Sequence, residues 1–227
     1  MPISQPLQQR IGLFGGTFDP IHFGHLRPAV ELAEKYKLDH LRMLPNHRPA
    51  HRDEPSATTA QRIQMLNLAT DAIPQLIVDT REANRDKASY TFDTLTEFRK
   101  EYPEASLIFF MGQDAFSGFD SWHRWEDILG LANLVVIDRP DAILSTWAID
   151  LMASRAAAIA ASSEKNVGNS VINASAGAIE RCSVTQLAIS ATDIRHRIAS
   201  GKSIEFLVPE NVNRYIVQQD LYRRTST

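Results

Sequence analysis

The sequence predicts an α/β fold built on a doubly wound parallel sheet. Strand-like and helix-like segments alternate along the chain, which is typical of parallel strands joined by crossover helices. The run 107–111 is apolar throughout, as expected of a central strand that is buried on both faces. The 227 residues, 44% of them hydrophobic, suffice for one sizeable core. We therefore expect a single domain over 1–227, with 191–227 as its helical C-terminal part.

Short apolar runs that end at turn residues predict the strands. The second of these runs is closed by Pro45. In chain order, strands are expected at 11–14, 41–44, 76–78, 107–111, 134–137 and 184–187.

Amphipathic spacing and capping residues predict the helices between the strands. Thr58 or Thr59 is suited to cap one helix, and Thr91 starts another whose Phe92, Leu95 and Phe98 are spaced as a core face. Thr192 is expected to cap a short helix that ends at Gly201, and Pro209 lies in the first turn of the last helix. Helices are thus expected at 26–36, from Thr58 or Thr59, from Thr91, and at 125–131, 144–161, 192–199 and 208–222.

Composition excludes several classes of function. The formal net charge of -3 leaves no basic footprint for nucleic acid. No run approaches the ~20 apolar residues of a membrane span, and the first ten residues lack the apolar core of a secretory signal. The single cysteine, Cys182, rules out an intrachain disulfide and suits a reducing compartment, so we expect a cytoplasmic protein.

The segment 13–25 has the composition of a phosphate-binding connection between a strand and a helix. Gly15 and Gly16 lack Cβ atoms, so their N–H groups can approach a phosphate closely. His22 and His25 are three residues apart in the first helical turn and should project to one side, with Gly24 admitting a ligand between them. The alternative is a pair of surface histidines at a capped turn. A metal pair is less favoured, because no further ligand follows at a familiar spacing.

The segment 189–195 repeats this arrangement near the carboxyl end. A predicted strand leads into Ile189 and Ser190, and Thr192 is suited both to cap the helix and to donate to phosphate. The planar guanidinium of Arg195, one turn further on, suits bidentate phosphate contact. An ordinary helix cap followed by a surface arginine is the alternative.

A proline-punctuated loop, 45–52, adds more cationic groups. His51 and Arg52 are placed to close over phosphates, although a solvated surface loop would have the same composition.

Together these motifs resemble those of the H-x-G-H nucleotidyltransferases, and more narrowly those of bacterial nicotinate-nucleotide adenylyltransferases. The resemblance rests on 15–25 and 189–195, supported by Ser89-Tyr90-Thr91, Met111-Gly112-Gln113-Asp114 and the Trp122-His123-Arg124-Trp125 region. It covers most of the chain, and 141–181 matches poorly. It implies a Rossmann-like nucleotidyltransferase fold and adenylyl transfer from ATP to nicotinate mononucleotide, giving deamido-NAD and pyrophosphate.

The resemblance also assigns roles to individual residues. His22, His25 and Arg195 would be catalytic, and Mg²⁺ would ride on the ATP phosphates without a dedicated protein site. Ser89, Tyr90 and Thr91 would offer backbone N–H groups to the nicotinate carboxylate, and Trp122 would stack on the pyridine ring. The remaining ATP contacts would be Gly15, Gly16, Phe18, Asp19, His51, Arg52, Gly112, Asp114, Ile189, Ser190 and Thr192, and the remaining mononucleotide contacts would be Thr17 and Asn46.

Two other interpretations stay open at this point. Another H-x-G-H adenylyl- or cytidylyltransferase would share the phosphate motifs, but such enzymes are usually shorter and lack the Ser89–Thr91 and Trp122 features. A non-catalytic nucleotide sensor on the same fold would not need His22, His25 and Arg195 together. The sequence leaves the oligomeric state and the role of 141–181 open.

Overall fold

The computed structural model describes residues 8–46, 55–85, 89–139, 142–161 and 175–223. Its six described strands form one sheet in the order β3-β2-β1-β4-β5-β6, with parallel pairing of β2 with β3, β4 with β5 and β5 with β6. The order reverses at β1, as it does in doubly wound sheets, so the predicted fold class is confirmed. The strands are β1 (Arg10–Gly16), β2 (His40–Pro45), β3 (Leu76–Val78), β4 (Ser106–Gly112), β5 (Asn133–Ile137) and β6 (Ile179–Cys182).

The described helices follow the strands closely, as crossover connections do. They are α1 (Phe23–Lys35), α2 (Thr59–Thr70), α3 (Thr91–Glu101), α4 (Gln113–Ser117), α5 (Trp125–Leu131), α6 (Thr146–Ala161), α7 (Ala191–Ala199) and α8 (Glu210–Gln218), with a 3₁₀ turn at Phe119–Ser121. The last helix is shorter at both ends than predicted, since Pro209 precedes it as N-cap.

The described residues belong to two compact units. The first unit takes its residues from Met1–Leu13, Ala33–His40 and Tyr90–Ser183, and the second from Phe14–Leu32, Leu41–Ser89 and Val184–Thr227. The expectation of one domain over the whole chain stays a prediction.

The core of the first unit contains β4 and β5, whose residues are buried from Ser106 to Met111 and throughout β5. Within it, Asn133 is fully buried and its amide is satisfied, because Nδ2 lies 3.3 Å from Ser106 Oγ and Oδ1 accepts from Ala178 N at 2.9 Å. A buried amide has to find such partners. Asn133 thereby fixes the backbone just before β6.

The strand predicted at 184–187 is wrong, because the sixth strand lies earlier, at Ile179–Cys182. Its pairing with β5 runs from Leu134 opposite Ile179 to Ile137 opposite Cys182. The segment 184–187 makes other contacts, within the second unit. There Thr185 donates from both N and Oγ1 to the carboxylate of Glu31, at 2.7 and 2.6 Å, and Leu187 is 38% exposed.

In the second unit, Thr58 rather than Thr59 caps α2. Its Oγ1 accepts from Gln61 N at 3.3 Å while Gln61 Oε1 accepts from Thr58 N at 2.9 Å, which forms a capping box. Two N–H groups that the helix leaves unpaired are satisfied in this way. The core face predicted for α3 in the first unit is confirmed for Leu95 and Phe98, whereas Phe92 is only half-buried.

We expect Thr58→Ala to lower the free energy of unfolding by about 1 kcal/mol, because both capping-box hydrogen bonds are lost. Urea unfolding followed by circular dichroism measures this change. Gln64→Ala, at an exposed position of the same helix, is the control and should leave the midpoint almost unchanged. Equal midpoints for Thr58→Ala and the parent protein would contradict the importance of the box.

Candidate active site

The turn that follows β1 is shaped by the ring of Phe18. Phe18 is buried with a φ of 50°, and a Cβ at Gly16 would lie 2.8 Å from its ring. Gly16 is therefore needed for packing, in addition to the phosphate contact predicted for it. A Cβ at Gly15 would meet no atom within 4 Å, so Gly15 borders open space.

The two histidines of the motif lie together, as predicted. The ring centroids of His22 and His25 are 3.8 Å apart, and the edge-on ring of Phe18 lies 5.2 Å from that of His25. The carbonyl of His22 accepts from His25 N at 2.9 Å and from Leu26 N at 3.1 Å, so His22 directly precedes the first turn of α1. One side of this helix end thus presents both imidazoles.

Gly24 has a packing role in addition to the one predicted. A Cβ at this position would lie 2.9 Å from His22 Nδ1 and 3.1 Å from the carbonyl oxygen of Ile189. The space on the Cβ side of Gly24 is filled by protein, and the part expected for Gly24 in ligand access stays a prediction. Gly24 allows the His22 ring and the Ile189 backbone to pack against α1.

Burial decides the charge state of His22. Its side chain is almost fully enclosed, with 4% of the residue exposed, and Nδ1 is buried without a hydrogen-bond partner among the described residues. Desolvation penalises the charged imidazolium and lowers the pKa of His22 to about 4. His22 is therefore neutral near pH 7.

The second motif begins α7, but its cap differs from the prediction. Ser190 is the N-cap, because its Oγ accepts from Asp193 N at 3.1 Å. The cap predicted at Thr192 is therefore wrong: Thr192 is already helical, and its Oγ1 accepts from Arg195 Nη2 at 3.3 Å. Arg195 Nη1 also donates to the carbonyl of Asp19 at 2.6 Å, which joins the two motifs directly.

The carboxylate of Asp19 is engaged by protein groups. Asp19 is 4% exposed, its Oδ2 accepts from Ser56 N at 2.8 Å, and its Oδ1 accepts from Ala57 N at 3.1 Å and from the Tyr222 hydroxyl at 2.7 Å. These donors use the oxygens that the resemblance assigned to ATP. The direct ATP contact of Asp19 stays a prediction.

Arg62, on α2, is a site residue that the sequence reasoning missed. Its guanidinium donates to the carbonyls of Thr17 at 2.6 Å and Asn46 at 2.8 Å, and it is completely buried. Burial lowers the pKa of Arg62 from its usual value. The sequence signal was an arginine at the spacing of the buried Met65 and Leu66, where an apolar residue is expected.

Arg62 brings together two of the predicted mononucleotide contacts. Asn46 N also donates to the carbonyl of Gly16 at 3.1 Å, and Asn46 Nδ2 lies 3.4 Å from Thr17 Oγ1. The end of β1 and the start of the loop after β2 are thus held in one arrangement. His51 and Arg52, further along that loop, lie outside the described residues.

Other predicted contacts lie at the ends of elements in the first unit. Tyr90 is the N-cap of α3 and Thr91 is its first residue, and the exposed ring of Tyr90 lies 4.6 Å from that of His123 at a tilt of 39°. Trp122 is half-buried, with Phe119 5.4 Å away edge-on. The remaining member of the pyridine motif, Ser89, belongs to the second unit and donates to the carbonyl of Glu82 at 3.2 Å.

Gly112 and Asp114 lie where β4 passes into α4. Gly112 is the last residue of β4 and the N-cap of the helix, and Asp114 is in its first turn. Asp114 pairs with Arg139 at 3.0 Å, and both side chains are 60% exposed. Exposed pairs of this kind are weak, so Asp114 can exchange Arg139 for a ligand at little cost.

The described part of the chain shows neither a metal-binding cluster nor a membrane-spanning helix. It contains no group of three or more His, Cys, Asp or Glu residues arranged to hold a metal ion. Within the same residues, no helix is both long and apolar enough to cross a membrane.

Comparison with known proteins agrees with this geometry. Residues 13–197 match the family model described as cytidylyltransferase-like. A protein of Cellvibrio japonicus named as a nicotinate-nucleotide adenylyltransferase is 46% identical over 218 residues, which cover 96% of this chain and 100% of that protein. A Pseudomonas syringae protein of the same name is 46% identical over 222 residues and 97% of each chain.

Solved structures share the fold at lower identity. The nicotinic acid mononucleotide adenylyltransferase of Plasmodium falciparum complexed with NaAD is 14% identical, with a TM-score of 0.72 over 95% of this chain and 98% of that one. The same enzyme complexed with APC gives a TM-score of 0.69 over the same shares. The structural likeness shows the fold, and the sequence identity to the bacterial proteins shows the family: the chain belongs to the nicotinate-nucleotide adenylyltransferases.

Proposed function

We propose that this protein transfers the adenylyl group of ATP to nicotinate mononucleotide and releases deamido-NAD and pyrophosphate. The observation that carries the proposal is the union of the two phosphate motifs in the second unit. The imidazoles of His22 and His25 are 3.8 Å apart at the start of α1, and Arg195 of α7 is bonded to the turn before them. The names of the bacterial relatives support this choice of substrates.

The reaction needs no nucleophile from the protein. An oxygen of the mononucleotide 5′-phosphate, already anionic, attacks the α-phosphorus of ATP in line. The bond between that phosphorus and the bridging oxygen of pyrophosphate breaks, and the electron pair leaves with pyrophosphate. The protein therefore has to align the two phosphates and to stabilise charge on the transferring group.

The described groups divide that task. His25 is assigned the main contact with the α-phosphate in the transition state. His22, neutral because burial lowers its pKa to about 4, supplies an N–H donor rather than a charge. Thr192 and the guanidinium of Arg195 bind the β- and γ-phosphates that leave.

The nicotinate end of the acceptor is assigned to the pyridine motif. Backbone N–H groups of Ser89, Tyr90 and Thr91 receive the carboxylate, and Trp122 stacks on the ring. Mg²⁺ enters on the phosphates of ATP, which agrees with an Asp19 carboxylate that protein donors already occupy. We infer a cytoplasmic location, on the ground that the single cysteine of the sequence suits a reducing compartment.

We expect kcat/KM for nicotinate mononucleotide to exceed that for nicotinamide mononucleotide by on the order of a hundredfold or more, since a carboxamide presents its own N–H₂ group to N–H donors. A coupled pyrophosphate assay with ATP and Mg²⁺ measures both constants in parallel. Equal values for the two acceptors would overturn the substrate assignment. If neither mononucleotide gave pyrophosphate release, the proposed reaction would be overturned.

His25→Ala should lower kcat by about 10²–10³-fold, as loss of one transition-state donor does in other enzymes. The circular dichroism spectrum should stay that of the parent protein. His196→Ala, which removes an exposed imidazole of α7, is the matched control and should retain full activity. A His25→Ala enzyme with parental kcat would remove His25 from the mechanism.

The depressed pKa of His22 also predicts how stability depends on pH. In the unfolded chain the imidazole takes up its proton near pH 6.5, and in the folded protein only near pH 4. Stability from the neutral, buried ring is thus fully present above pH 6.5 and is lost as the pH falls to 4, by up to about 3 kcal/mol.

Urea unfolding between pH 7.5 and pH 4 tests this dependence against His22→Gln, which cannot titrate. The free energy of unfolding should fall more steeply with acidification in the parent protein than in His22→Gln. His196→Gln should follow the parent protein. Identical pH profiles for the parent protein and His22→Gln would show that burial does not keep His22 neutral.

A further inference from the structure

The described carboxyl end of the chain is folded back by a specific turn. After α8, Leu221 N donates to the carbonyl of Ile216 at 3.0 Å, and Asp220, with a φ of 53°, occupies the left-handed position that ends a helix in a Schellman motif. Tyr222 is itself left-handed, with a φ of 62°. Non-glycine residues adopt this conformation uncommonly, so other contacts have to hold Tyr222 there.

The main polar contact of Tyr222 is with the phosphate motif. Its hydroxyl donates to Oδ1 of Asp19 at 2.7 Å, across 203 residues of sequence. The ring is largely enclosed, and burial together with the Asp19 charge raises the pKa of the phenol well above its ordinary value. Tyr222 therefore stays a protonated donor at every pH at which the protein functions.

The carboxylate that Tyr222 binds lies next to Arg195. Arg195 Nη1 donates to the main-chain carbonyl of Asp19 at 2.6 Å but stands 3.9 Å from its Oδ2. The guanidinium is thus held by the backbone of Asp19 rather than by a close pair with its carboxylate. A guanidinium has five N–H donors, and the bonds to Asp19 and Thr192 leave others for a ligand.

The hydrogen bond from the Tyr222 hydroxyl determines whether the Asp19 carboxylate needs a close ion pair with Arg195. With Ser56 N, Ala57 N and Tyr222 as donors, the carboxylate is satisfied without a close ion pair. Without the hydroxyl, Oδ1 loses a donor in a buried site, where an unsatisfied charge is costly. Arg195 Nη1 stands 3.9 Å from Asp19 Oδ2, and a closer pair between them would withdraw the guanidinium from phosphate.

We propose that Tyr222 is a positioning residue for the triphosphate site: its hydroxyl hydrogen-bonds to the Asp19 carboxylate and so keeps the guanidinium of Arg195 available to the β- and γ-phosphates. The inference rests on the proposed function for the identity of the nucleotide, but it requires only that Arg195 binds a polyphosphate.

Titration calorimetry with inorganic tripolyphosphate tests the proposal without any turnover. Tyr222→Phe should weaken binding about tenfold, the effect of one hydrogen bond to a charged group. Tyr215→Phe removes a hydroxyl from α8, outside the contacts described for the site, and should bind as the parent protein does. Parental affinity in Tyr222→Phe would overturn the proposal.

A double-mutant cycle identifies Arg195 as the route of the effect. Because Tyr222 acts through the guanidinium, Tyr222→Phe should add no loss of tripolyphosphate affinity when Arg195 is already alanine. Two losses that multiply in the double variant would show independent roles and overturn the proposal.

Steady-state kinetics supply a readout that general destabilisation would not give. Tyr222→Phe should raise KM for ATP about tenfold, with KM for nicotinate mononucleotide unchanged. Equal increases in both would refute a role confined to the polyphosphate. If the parent protein turns over no nicotinate mononucleotide, the proposed function fails. The double-mutant cycle measured by calorimetry would still test the role of Tyr222, because it needs no turnover.

Hydrogen exchange of the parent protein keeps the test decisive even if Tyr222→Phe does not fold. Tripolyphosphate should slow amide exchange in Asp220–Arg223 as well as at the start of α7, because the ligand and Tyr222 favour the same position of Arg195. Protection of α7 with no change at Asp220–Arg223 would overturn the coupling.

Discussion

Burial of one carboxylate, that of Asp19, is the constraint around which the second unit is arranged. A buried charge is tolerated only when donors and opposite charges surround it. Asp19 takes N–H groups from Ser56 and Ala57 and a hydroxyl from Tyr222, and it interacts electrostatically with Arg62 and Arg195. These partners come from four separate parts of the sequence. One side chain therefore ties the turn after β1 to α2, α7 and the carboxyl end.

Around that centre, close approach rather than flexibility explains two glycines of the motif, Gly16 and Gly24. Gly16 leaves room for the Phe18 ring, and Gly24 leaves room for the His22 ring and for Ile189. The rings that fill these spaces hold one another, with Phe18 edge-on to His25 and His25 beside His22. The imidazoles are consequently ordered before any ligand arrives, which lowers the entropic cost of aligning phosphates with them.

The sequence predicted the sheet, most helices and the pairing of His22 with His25, because these follow from local periodicity and spacing. It failed where long-range partners decide. Thr185 in the 184–187 segment hydrogen-bonds to Glu31, whereas Ile179–Cys182, with the same number of apolar residues, pairs with β5. Ser190 and Thr192 both have side chains suited to an N-cap. The cap is Ser190 because α7 begins at Ala191, and the sequence alone does not show where the first helical turn begins. Arg62 was missed because the role of a charged residue on an apolar helix face cannot be inferred before its partners, here the carbonyls of Thr17 and Asn46, are known.

The charge balance of the site bears on turnover as well as on binding. Arg195 brings one positive charge, Asp19 offsets part of it, and His22 is neutral because burial lowers its pKa to about 4. In the proposed reaction, a second positive charge at His22 would bind ATP more tightly, but it would also hold the pyrophosphate product more tightly. Binding that is equal in the ground state and the transition state does not accelerate the chemical step. In the proposed reaction, an uncharged His22 supplies a preorganised N–H donor without adding to the positive charge that would retain the leaving group.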